Sequence, residues 1–563
     1  IGILFGSYDA SHKELPGEVG VINKQYPIGD VRRYGIFPDG ITNWNLNTNY
    51  IDVIQQNSAN LGIPIYFPSG FYNTELNIYM SNVSIILDKD VEFAGLIHIG
   101  SLTETDIKNI VIKGTVVTYD RFGTFKINGL YVERVHVKAD GTKALNYPGI
   151  RSRGIHIYSG TKNLVCKEMI IEDFDQDGYN NESAFAADGY GNNPQNLKID
   201  RIIVKKSDVH AVYLTGSGHR IGEIIVEEYG AGQYMQDTGL QDSNGLAQSQ
   251  ELKGVWINRC EDTEIGRIIV NQSDEGTRAF AKYDVMVDET GINRYGTVKI
   301  GEIICKNVRG ASRGVCFGDR FYQSPRCIAQ VDKIQLNVAT GKGAITDFGV
   351  FNIHDNADLK IGSVLFNNVD TADAFYMYRN SKAEIDLIDV GVCKRRAAYI
   401  EGELRCKEFR CNRISSLDGV DTVVITLYAH RTVIDKLRID ATVAVTVKAL
   451  RIYQVNNIQI NWLEIGQFRN TEGCVDIDTV TYSSFNQFKL PGQVNKEGIG
   501  LRIANLINCC FMNGSIINYN KGITYSGYLT RCTMINVNNA GNTISSDIPV
   551  GTLTTIGCQL VET

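Results

Sequence analysis

The apolar residues of this chain recur in a short strand-like phrase along most of its length. The phrase is rich in β-branched residues and usually carries an acidic residue or a glycine in its first three positions. Copies that resemble IGEIIV begin at Ile199, Ile221, Ile265, Ile300, Val331, Ile361, Ile385 and Ile434. One copy cannot bury its own apolar face, so the copies must stack on one another. The pattern therefore predicts a solenoid.

Each coil of this solenoid is expected to contain two or three short strands. The shortest interval between copies is 22 residues, from Ile199 to Ile221. A second run follows each phrase after a turn, as in VYLTG from Val212 and VWINR from Val255. Apolar and polar residues alternate in these runs with the period of a strand, and no window within the runs supports a helical period. Leucine-rich repeats are the competing solenoid, but their leucine spacing is absent. We therefore expect an all-β parallel β-helix.

The net charge and the cysteines narrow the classes of function. The chain has 563 residues and a net charge of −7, which argues against nucleic-acid binding. No apolar run is long enough to enter a membrane, and no secretory signal opens the chain. The 13 cysteines include no CxxC pair of the metal-binding type, so we expect buried thiols and neither a metal nor a cofactor.

Because the chain begins with Ile1 rather than Met, we expect a longer protein with a further N-terminal module.

A motif near the N-terminus carries a family resemblance. An Asp39–Gly40 turn precedes a segment predicted to be a short helix with an apolar stripe of Ile51, Ile54 and Leu61. The pattern GxxIxFPxGxY follows, matched by Gly62, Ile65, Phe67, Pro68, Gly70 and Tyr72. This arrangement resembles the opening of the pectate-lyase-like superfamily of right-handed β-helices. The resemblance implies a right-handed parallel β-helix with an N-terminal capping helix and a C-terminal β cap.

Within that superfamily, the acidic and irregularly looped chain looks most like a bacteriophage tailspike. Tailspikes are elongated homotrimers that bind and usually cleave bacterial surface polysaccharide, either capsule or O-antigen. The resemblance implies a virion protein, attached to the phage tail by a preceding region and acting at the outer surface of the host. It divides the chain into a linker or neck (1–30), a β-helix cap (31–100), the main β-helix with the glycan groove (101–450) and C-terminal coils for trimerisation and capping (451–563).

Alignment of the coils sorts the second strand of each coil into inward and outward positions. Equivalent residues of stacked coils lie about 4.8 Å apart, so they form straight columns. The side chains at the first and third positions of each second-strand run, such as Val212 and Leu214 in VYLTG, should point inward. One outward column then contains His156, Ala186, Tyr213, Trp256, Met286, Cys316, Asn352, Tyr376 and Tyr399. The next outward column contains Tyr158, Asp188, Thr215, Asn258, Asp288, Gly318, His354, Tyr378 and Glu401.

These outward columns predict a sugar-binding face. Aromatic rings stack on the apolar sides of sugars, while carboxylates, imidazoles and amides hold the hydroxyl groups. The competing interpretation is that the aromatic residues pack beneath loops or simply suit a β surface. The candidate substrate-binding residues are His156, Asp188, Tyr213, Trp256, Asn258, Arg320 and His354.

A third column is apolar although it should point outward. It occupies the fifth letter of the IGEIIV phrase and contains Ile203, Ile225, Ile269, Ile304 and Leu365, interrupted by Gln335. A column of aliphatic side chains is costly in water and typically marks an interface. We expect it to pack around the threefold axis of a homotrimer; a cover of loops from the same chain is the alternative.

The carboxylates between residues 284 and 355 are the candidates for catalysis. Glycoside hydrolysis typically uses two carboxylates, one acting as general acid and the other as base or nucleophile. We expect Asp288 or Glu289 to pair with Asp319, with Arg320 and His354 orienting the substrate. The simpler alternative for each carboxylate is a solvated turn residue.

Two further functions remain open at this point. A lyase would break a uronic-acid polymer by β-elimination, with His156, Tyr158 or His354 as the base. Its cation would be Arg259, Arg320 or Lys282. A non-catalytic adhesin would hold the glycan without cleaving it.

Overall fold

The fold is described from a computed structural model of the chain. The chain separates into two compact units, residues 1–277 and 278–563. The structure describes residues 14–18, 23–41, 48–101, 103, 106–140, 142–143, 154–174, 183–189, 191–207, 210–230, 252–272, 282–288, 290, 297–308, 313–318, 326–338, 349–369, 373–413, 423–441, 446–539, 541–548, 553–556 and 558.

A short helix precedes the first coil, as the N-terminal motif predicts. A 3₁₀ turn (Val31–Tyr34) is followed by α1 (Thr48–Leu61). Ile54 is buried, but the predicted apolar stripe is wrong at Leu61, which is 50% exposed. The inner face of α1 is partly polar instead, because the side chains of Gln55 and Ser58 accept hydrogen bonds from the main chain of the first coils.

Two parallel sheets form the first unit, and each coil contributes to both of them. The strands are β1 (Ile65–Phe67), β2 (Gly70–Tyr72), β3 (Leu76–Ile78), β4 (Ser84–Leu87), β5 (Val91–Phe93), β6 (Ile97–Gly100), β7 (Ile107–Thr118), β8 (Phe122–Phe125), β9 (Ile127–Val137), β10 (Ile155–Ile157), β11 (Lys162–Ile171), β12 (Ser183–Ala187), β13 (Lys198–Val204), β14 (His210–Ser217), β15 (Arg220–Tyr229), β16 (Leu252–Glu261) and β17 (Thr263–Gln272). In this unit, one sheet contains β3, β6, β8, β10, β12, β14 and β16, and the other contains the remaining strands.

The second unit repeats the same architecture. Its strands are β18 (Lys282–Asp288), β19 (Val298–Val308), β20 (Arg313–Phe317), β21 (Cys327–Val338), β22 (Gly349–Ile353), β23 (Ala357–Val369), β24 (Asp373–Met377), β25 (Lys382–Cys393), β26 (Ala398–Ile400), β27 (Glu403–Arg413), β28 (Val423–Leu427), β29 (Val433–Ala441), β30 (Lys448–Asn456), β31 (Gln459–Ile465), β32 (Val475–Thr481), β33 (Ser484–Phe485), β34 (Phe488–Leu490), β35 (Ile499–Ile507), β36 (Cys510–Met512), β37 (Gly514–Ile516), β38 (Lys521–Thr530), β39 (Thr533–Ile535), β40 (Ile544–Ser546) and β41 (Thr554–Ile556). The chain is thus a right-handed parallel β-helix, the hand that parallel crossover connections favour.

The repeated phrase marks equivalent positions of successive coils. Ile199 pairs with Ile221, and Ile221 pairs with Ile265, so the predicted alignment is confirmed. Stacking begins earlier than the repeat suggests, at Ile65 in β1. The sequence alignment also passes over one coil, which Cys406 occupies between Ile385 and Ile434. A cysteine at an isoleucine position hides that copy.

The inward side chains fill the space between the two sheets. In β14, Val212 and Leu214 are fully buried, while Tyr213 between them is half-buried. In the second unit, Phe351 stacks on Phe375 with their ring centroids 5.2 Å apart. The alternation that predicts the strands therefore also predicts the core.

All 13 cysteines are free thiols, and 11 of them are buried. Cys510 and Cys532, which are 22 residues apart, look like equivalent residues of neighbouring coils. This alignment is wrong by one residue, because Cys510 pairs with Thr533 and Cys532 therefore lies opposite Cys509.

Within the described part of the chain, no helix is both long enough and apolar enough to span a membrane.

Candidate functional site

The first outward column of the first unit has the register expected from the sequence. His156 pairs with Ala186, Ala186 with Tyr213, and Tyr213 with Trp256. The column also extends towards the N-terminus through Gly123 and His98, because Gly123 pairs with both His98 and His156. Sequence reasoning missed these two residues, since their coils lack the repeated phrase.

His156 and Asp188 lie on neighbouring coils and form a close pair. The Nε2 atom of His156 is 2.7 Å from Oδ1 of Asp188. Because a carboxylate only accepts hydrogen bonds, Nε2 carries the proton, and in the neutral ring Nδ1 keeps its lone pair. The ring of Tyr158 is 4.5 Å from that of His156 and stacks on Phe125, with 5.6 Å between the centroids. The two predicted binding residues are thus brought together with a tyrosine beside them.

A cavity of about 320 Å³ opens next to this pair. It lies beside three successive residues of the column, which are His98, Gly123 and His156. Because Gly123 has no side chain, space is left between the two imidazoles. A Cβ atom at Gly123 would meet nothing closer than the His156 carbonyl oxygen at 3.8 Å. The backbone therefore does not require glycine at this position. The lining of the cavity includes His98, Arg121, Gly123, Phe125, His156 and Tyr158.

The lining of this cavity suits an anion. None of the described residues that line it is a carboxylate, and Arg121 stands exposed at its edge. Burial lowers the pKa of His98, and the positive charge of Arg121 adds to this effect, so the imidazole is neutral at neutral pH. The buried Nε2 atom of His98 has no hydrogen-bond partner among the described residues.

Tyr213 and Trp256 form an aromatic pair farther along the same column. Their ring centroids lie 4.7 Å apart, and the ammonium group of Lys253 lies 4.2 Å from the centroid of Trp256. Asn258 is only 5% exposed and accepts a hydrogen bond from Nε of Arg259 at 3.3 Å. Asn258 thus holds a neighbouring arginine, and its predicted contact with a substrate stays a prediction.

The predicted catalytic carboxylates fall in the second unit. Asp288 ends β18 and is 2% exposed. Glu289, Asp319 and Arg320 lie outside the described residues, as does the side chain of Lys282. The carboxylate pair therefore stays a prediction. His354 is 1% exposed and stacks on Tyr378, with 4.4 Å between the ring centroids.

Five tyrosines cover neighbouring coils of the second unit. Tyr376 stacks on Tyr399 with 4.8 Å between the centroids, and the ring of Tyr378 is 4.6 Å from that of Tyr376. Tyr428 lies 5.5 Å from Tyr399 and 5.6 Å from Tyr453. All five rings are half-buried. We call this set the tyrosine surface: Tyr376, Tyr378, Tyr399, Tyr428 and Tyr453.

The two outward columns predicted from the sequence end at Tyr399 and Glu401, so they do not include Tyr428 and Tyr453. The signal for them exists, because Leu427 pairs with Ile452 and each of these residues is followed by a tyrosine. Extending the alignment by two coils would have found both tyrosines.

Charged groups surround the tyrosine surface. The guanidinium of Arg396 lies 4.7 Å from the ring centroid of Tyr399, and that of Arg451 lies 5.0 Å from Tyr453. The hydroxyl of Tyr399 donates to Glu401 at 3.3 Å. Burial raises the pKa of Tyr376 to about 12, and burial together with Glu401 raises that of Tyr399. These hydroxyls therefore stay protonated and can donate hydrogen bonds.

The aliphatic column also takes its predicted place. Ile203, Ile225 and Ile269 pair in succession on the first unit, and all three are half-buried. In the second unit, Gln335 pairs with Ile304 on one side and Leu365 on the other. An outward position is thus confirmed for the column, whereas its role as an interface stays a prediction.

Charges of alternating sign run beside the aliphatic column in the first unit. Arg201, Glu223 and Arg267 pair in succession, two residues before the isoleucines. Nε of Arg267 lies 3.0 Å from Oε1 of Glu223.

No family model matches this chain, and neither the curated proteins nor the solved structures contain a significant match to it. Among the described residues, no group of three or more histidine, cysteine, aspartate or glutamate side chains is placed to hold a metal ion.

Proposed function

We propose that this protein is a bacteriophage tailspike that binds and depolymerises a bacterial surface polysaccharide, either capsule or O-antigen. The observation that carries the proposal is the tyrosine surface. Five half-buried rings on neighbouring coils form an aromatic and polar strip, in which the guanidinium groups of Arg396 and Arg451 lie 4.7 Å and 5.0 Å from two ring centroids. Such a strip suits a polymer, because rings can stack on successive sugars while the charged groups bind hydroxyls.

Two chemistries of cleavage are compatible with this proposal. Hydrolysis would use the carboxylates Asp288, Glu289 and Asp319. β-Elimination has a specific observation in its favour, since His156 is paired with Asp188 beside a cavity that also contains Arg121. A protein that binds the glycan and cleaves nothing would be an adhesin.

The remaining parts of the proposal concern assembly and place of action. We propose a homotrimer that packs through the aliphatic column, joined to the phage tail by a preceding region and acting at the outer surface of the host. The half-buried isoleucines of β13, β15 and β17 support the interface, because a continuous aliphatic strip is stabilised when a partner removes it from water.

The test of glycan binding and cleavage starts from a panel of bacteria with different capsules and O-antigens. The protein is spotted on lawns of each strain, and the material released from sensitive lawns is analysed by mass spectrometry. We expect clearing on a few strains and release of oligosaccharides. The proposal would be contradicted if no strain of the panel showed clearing or binding. Binding without release of oligosaccharides would identify an adhesin.

Variants of the tyrosine surface connect this activity to the structure. We expect Tyr376→Ala and Tyr399→Ala each to weaken polysaccharide binding about fivefold in affinity electrophoresis, because stacking on one sugar-facing ring contributes about 1 kcal/mol. The matched control is Tyr482→Ala, which removes a 64% exposed tyrosine outside the tyrosine surface. Equal binding by all three variants would remove the tyrosine surface from the proposal.

A further inference from the structure

The cavity between His98 and His156 has cationic, imidazole and aromatic groups in its lining. An exposed arginine and two imidazoles line it, and none of the described lining residues is a carboxylate. Phe125 and Tyr158 stack at its edge and provide an aromatic surface. Asp188 holds one imidazole from outside the lining. Cationic and imidazole groups beside a stacked aromatic pair suit a sugar that carries a carboxylate.

We propose that this cavity binds a uronate residue of the polysaccharide and cleaves the chain there by β-elimination. The inference rests on the proposed function, since it names the sugar class and the reaction of a polysaccharide depolymerase. It assigns His156 as the base, Arg121 as the group that binds the uronate carboxylate, and Tyr158 as the acid.

The hydrogen bond to Asp188 prepares His156 for this role. This hydrogen bond fixes the proton on Nε2, so Nδ1 is the basic nitrogen. The negative charge of Asp188 stabilises the imidazolium that forms. Asp188 is thus a positioning residue. Arg121 beside the sugar carboxylate would stabilise the negative charge that develops when the neighbouring C–H bond breaks.

The atoms of the reaction balance without water or a co-reactant. Nδ1 of His156 takes the proton from C5 of the uronate, and the electron pair of that bond forms the C4–C5 double bond. The bond from C4 to the glycosidic oxygen breaks, and the Tyr158 hydroxyl gives its proton to the departing oxygen. The products are one fragment with an unsaturated uronate and one with a new reducing end. Exchange with solvent then returns both side chains to their starting protonation states.

Gly123 offers a steric test, because a side chain at this position has room but would fill the cavity. The first experiment is a titration of the histidine-labelled protein, which has eight histidines, with sodium glucuronate, sodium galacturonate and glucose. We expect a uronate, but not glucose, to shift two imidazole signals, which His98→Gln and His156→Gln would identify. Gly123→Leu should abolish both shifts. Unshifted signals with both uronates, or unchanged shifts in Gly123→Leu, would overturn the uronate site.

The second experiment follows cleavage of the polysaccharide found with the bacterial panel, before and after chemical reduction of its carboxyl groups, in water enriched in heavy oxygen. We expect the native polymer to yield ends with the ultraviolet absorbance of an unsaturated uronate and no heavy oxygen. The reduced polymer should resist cleavage. Because general-base catalysis typically contributes about 10²- to 10⁴-fold, His156→Ala should slow the reaction at least 100-fold. Asp188→Asn should lower kcat with little change in KM and alter the pH profile.

Saturated products that carry heavy oxygen would show hydrolysis and overturn this inference, while the proposed depolymerase would stand. A panel without binding or cleavage would instead remove the proposed function. The uronate titration needs no polymer, so it reports on the cavity in either case.

Discussion

At the scale of single residues, the buried His219 contributes to the response of the first unit to acid. His219 is fully buried, and both of its ring nitrogens are used. The main-chain N–H of Leu197 donates to Nδ1 at 3.3 Å, so Nε2 carries the proton and donates to the carbonyl of Thr215 at 3.0 Å. Burial lowers its pKa to about 4. The folded state thus holds this ring neutral at pH values where the unfolded chain protonates it.

The free energy of unfolding should therefore fall in acid. The unfolded chain binds a proton near pH 6.5 and the folded chain only near pH 4, so this stabilisation is complete above pH 6.5 and is lost as the pH falls between these values. The loss is at most about 3 kcal/mol. In urea unfolding at pH 7 and pH 4.5, we expect a smaller difference for His219→Gln than for the wild type. His430→Gln, which changes an exposed histidine, is the control. An unaltered pH dependence in His219→Gln would rule out this role.

The candidate site shows at the same scale what a sequence can reveal. The columns predicted that His156, Asp188, Tyr213 and Trp256 share one face, because strand alternation and coil stacking are local rules. The cavity could not be predicted, since Gly123 acts there through the side chain it lacks. Burial of Asn258, Asp288 and His354 also escaped prediction, because alternation tells which face a residue is on and not how deeply that face is covered.

At the scale of elements, coils approach so closely that some positions exclude any side chain. Gly100 ends β6 with a φ of +134°, a backbone conformation that other residues rarely adopt. A Cβ atom there would overlap the carbonyl oxygen of Phe125 on the next coil. Gly123 in β8 has room for a side chain, although it lies only one coil away. Two glycines of neighbouring strands thus have different reasons for being glycine.

Alanine substitutions should separate these two reasons. We expect Gly100→Ala to lower the free energy of unfolding by about 1–3 kcal/mol or more, because it combines backbone strain with a steric overlap. Gly123→Ala should change it by no more than about 0.5 kcal/mol. Urea unfolding of both variants at pH 7 measures the difference. Equal destabilisation would mean that Gly123 is also needed by the backbone, and that Gly123→Leu is a poor probe of the cavity.

Repeats of this kind are predictable where each coil keeps a recognisable copy of the phrase. The coil at Cys406 has a cysteine at the isoleucine position, so the repeat does not reveal it, and the coils before Ile199 carry too few matches to reveal their register. Cys510 and Thr533 lie 23 residues apart, one more than Ile199 and Ile221, so equal spacing misaligns this coil by one residue. Hydrogen bonding between strands, rather than equal spacing in the chain, sets the true alignment.

At the scale of the whole molecule, the aliphatic column is the surface that we propose to contact further copies. Its isoleucines lie side by side on three strands of the first unit, next to charges of alternating sign. An apolar strip bordered by polar groups resembles the centre and rim of an interface. Since identical copies present the same strip, packing around a common axis would bury it in all of them.

A charge placed in the column should prevent assembly and leave the fold intact. We expect the wild type to elute, in chromatography with light-scattering detection, with three times the 62.5-kDa mass of the chain. Ile225→Arg should elute as a monomer with an unchanged circular dichroism spectrum, because the arginine can be solvated on a single chain but not within a trimer. Val494→Arg, at an 88% exposed valine outside the column, should remain trimeric. A monomeric wild type, or a trimeric Ile225→Arg, would contradict the proposed assembly.

The amino-acid sequence by itself determined the fold class, the division into core and surface, and the order of residues within each column. These properties follow from a period of two along each strand and from the stacking of like on like, which are both local. The tertiary structure decided which neighbours meet, as with His156 and Asp188, and which faces stay open, as at Gly123 and the tyrosine surface. Such contacts depend on loop lengths and on the shape of side chains from different coils, so they arise only when the coils are stacked.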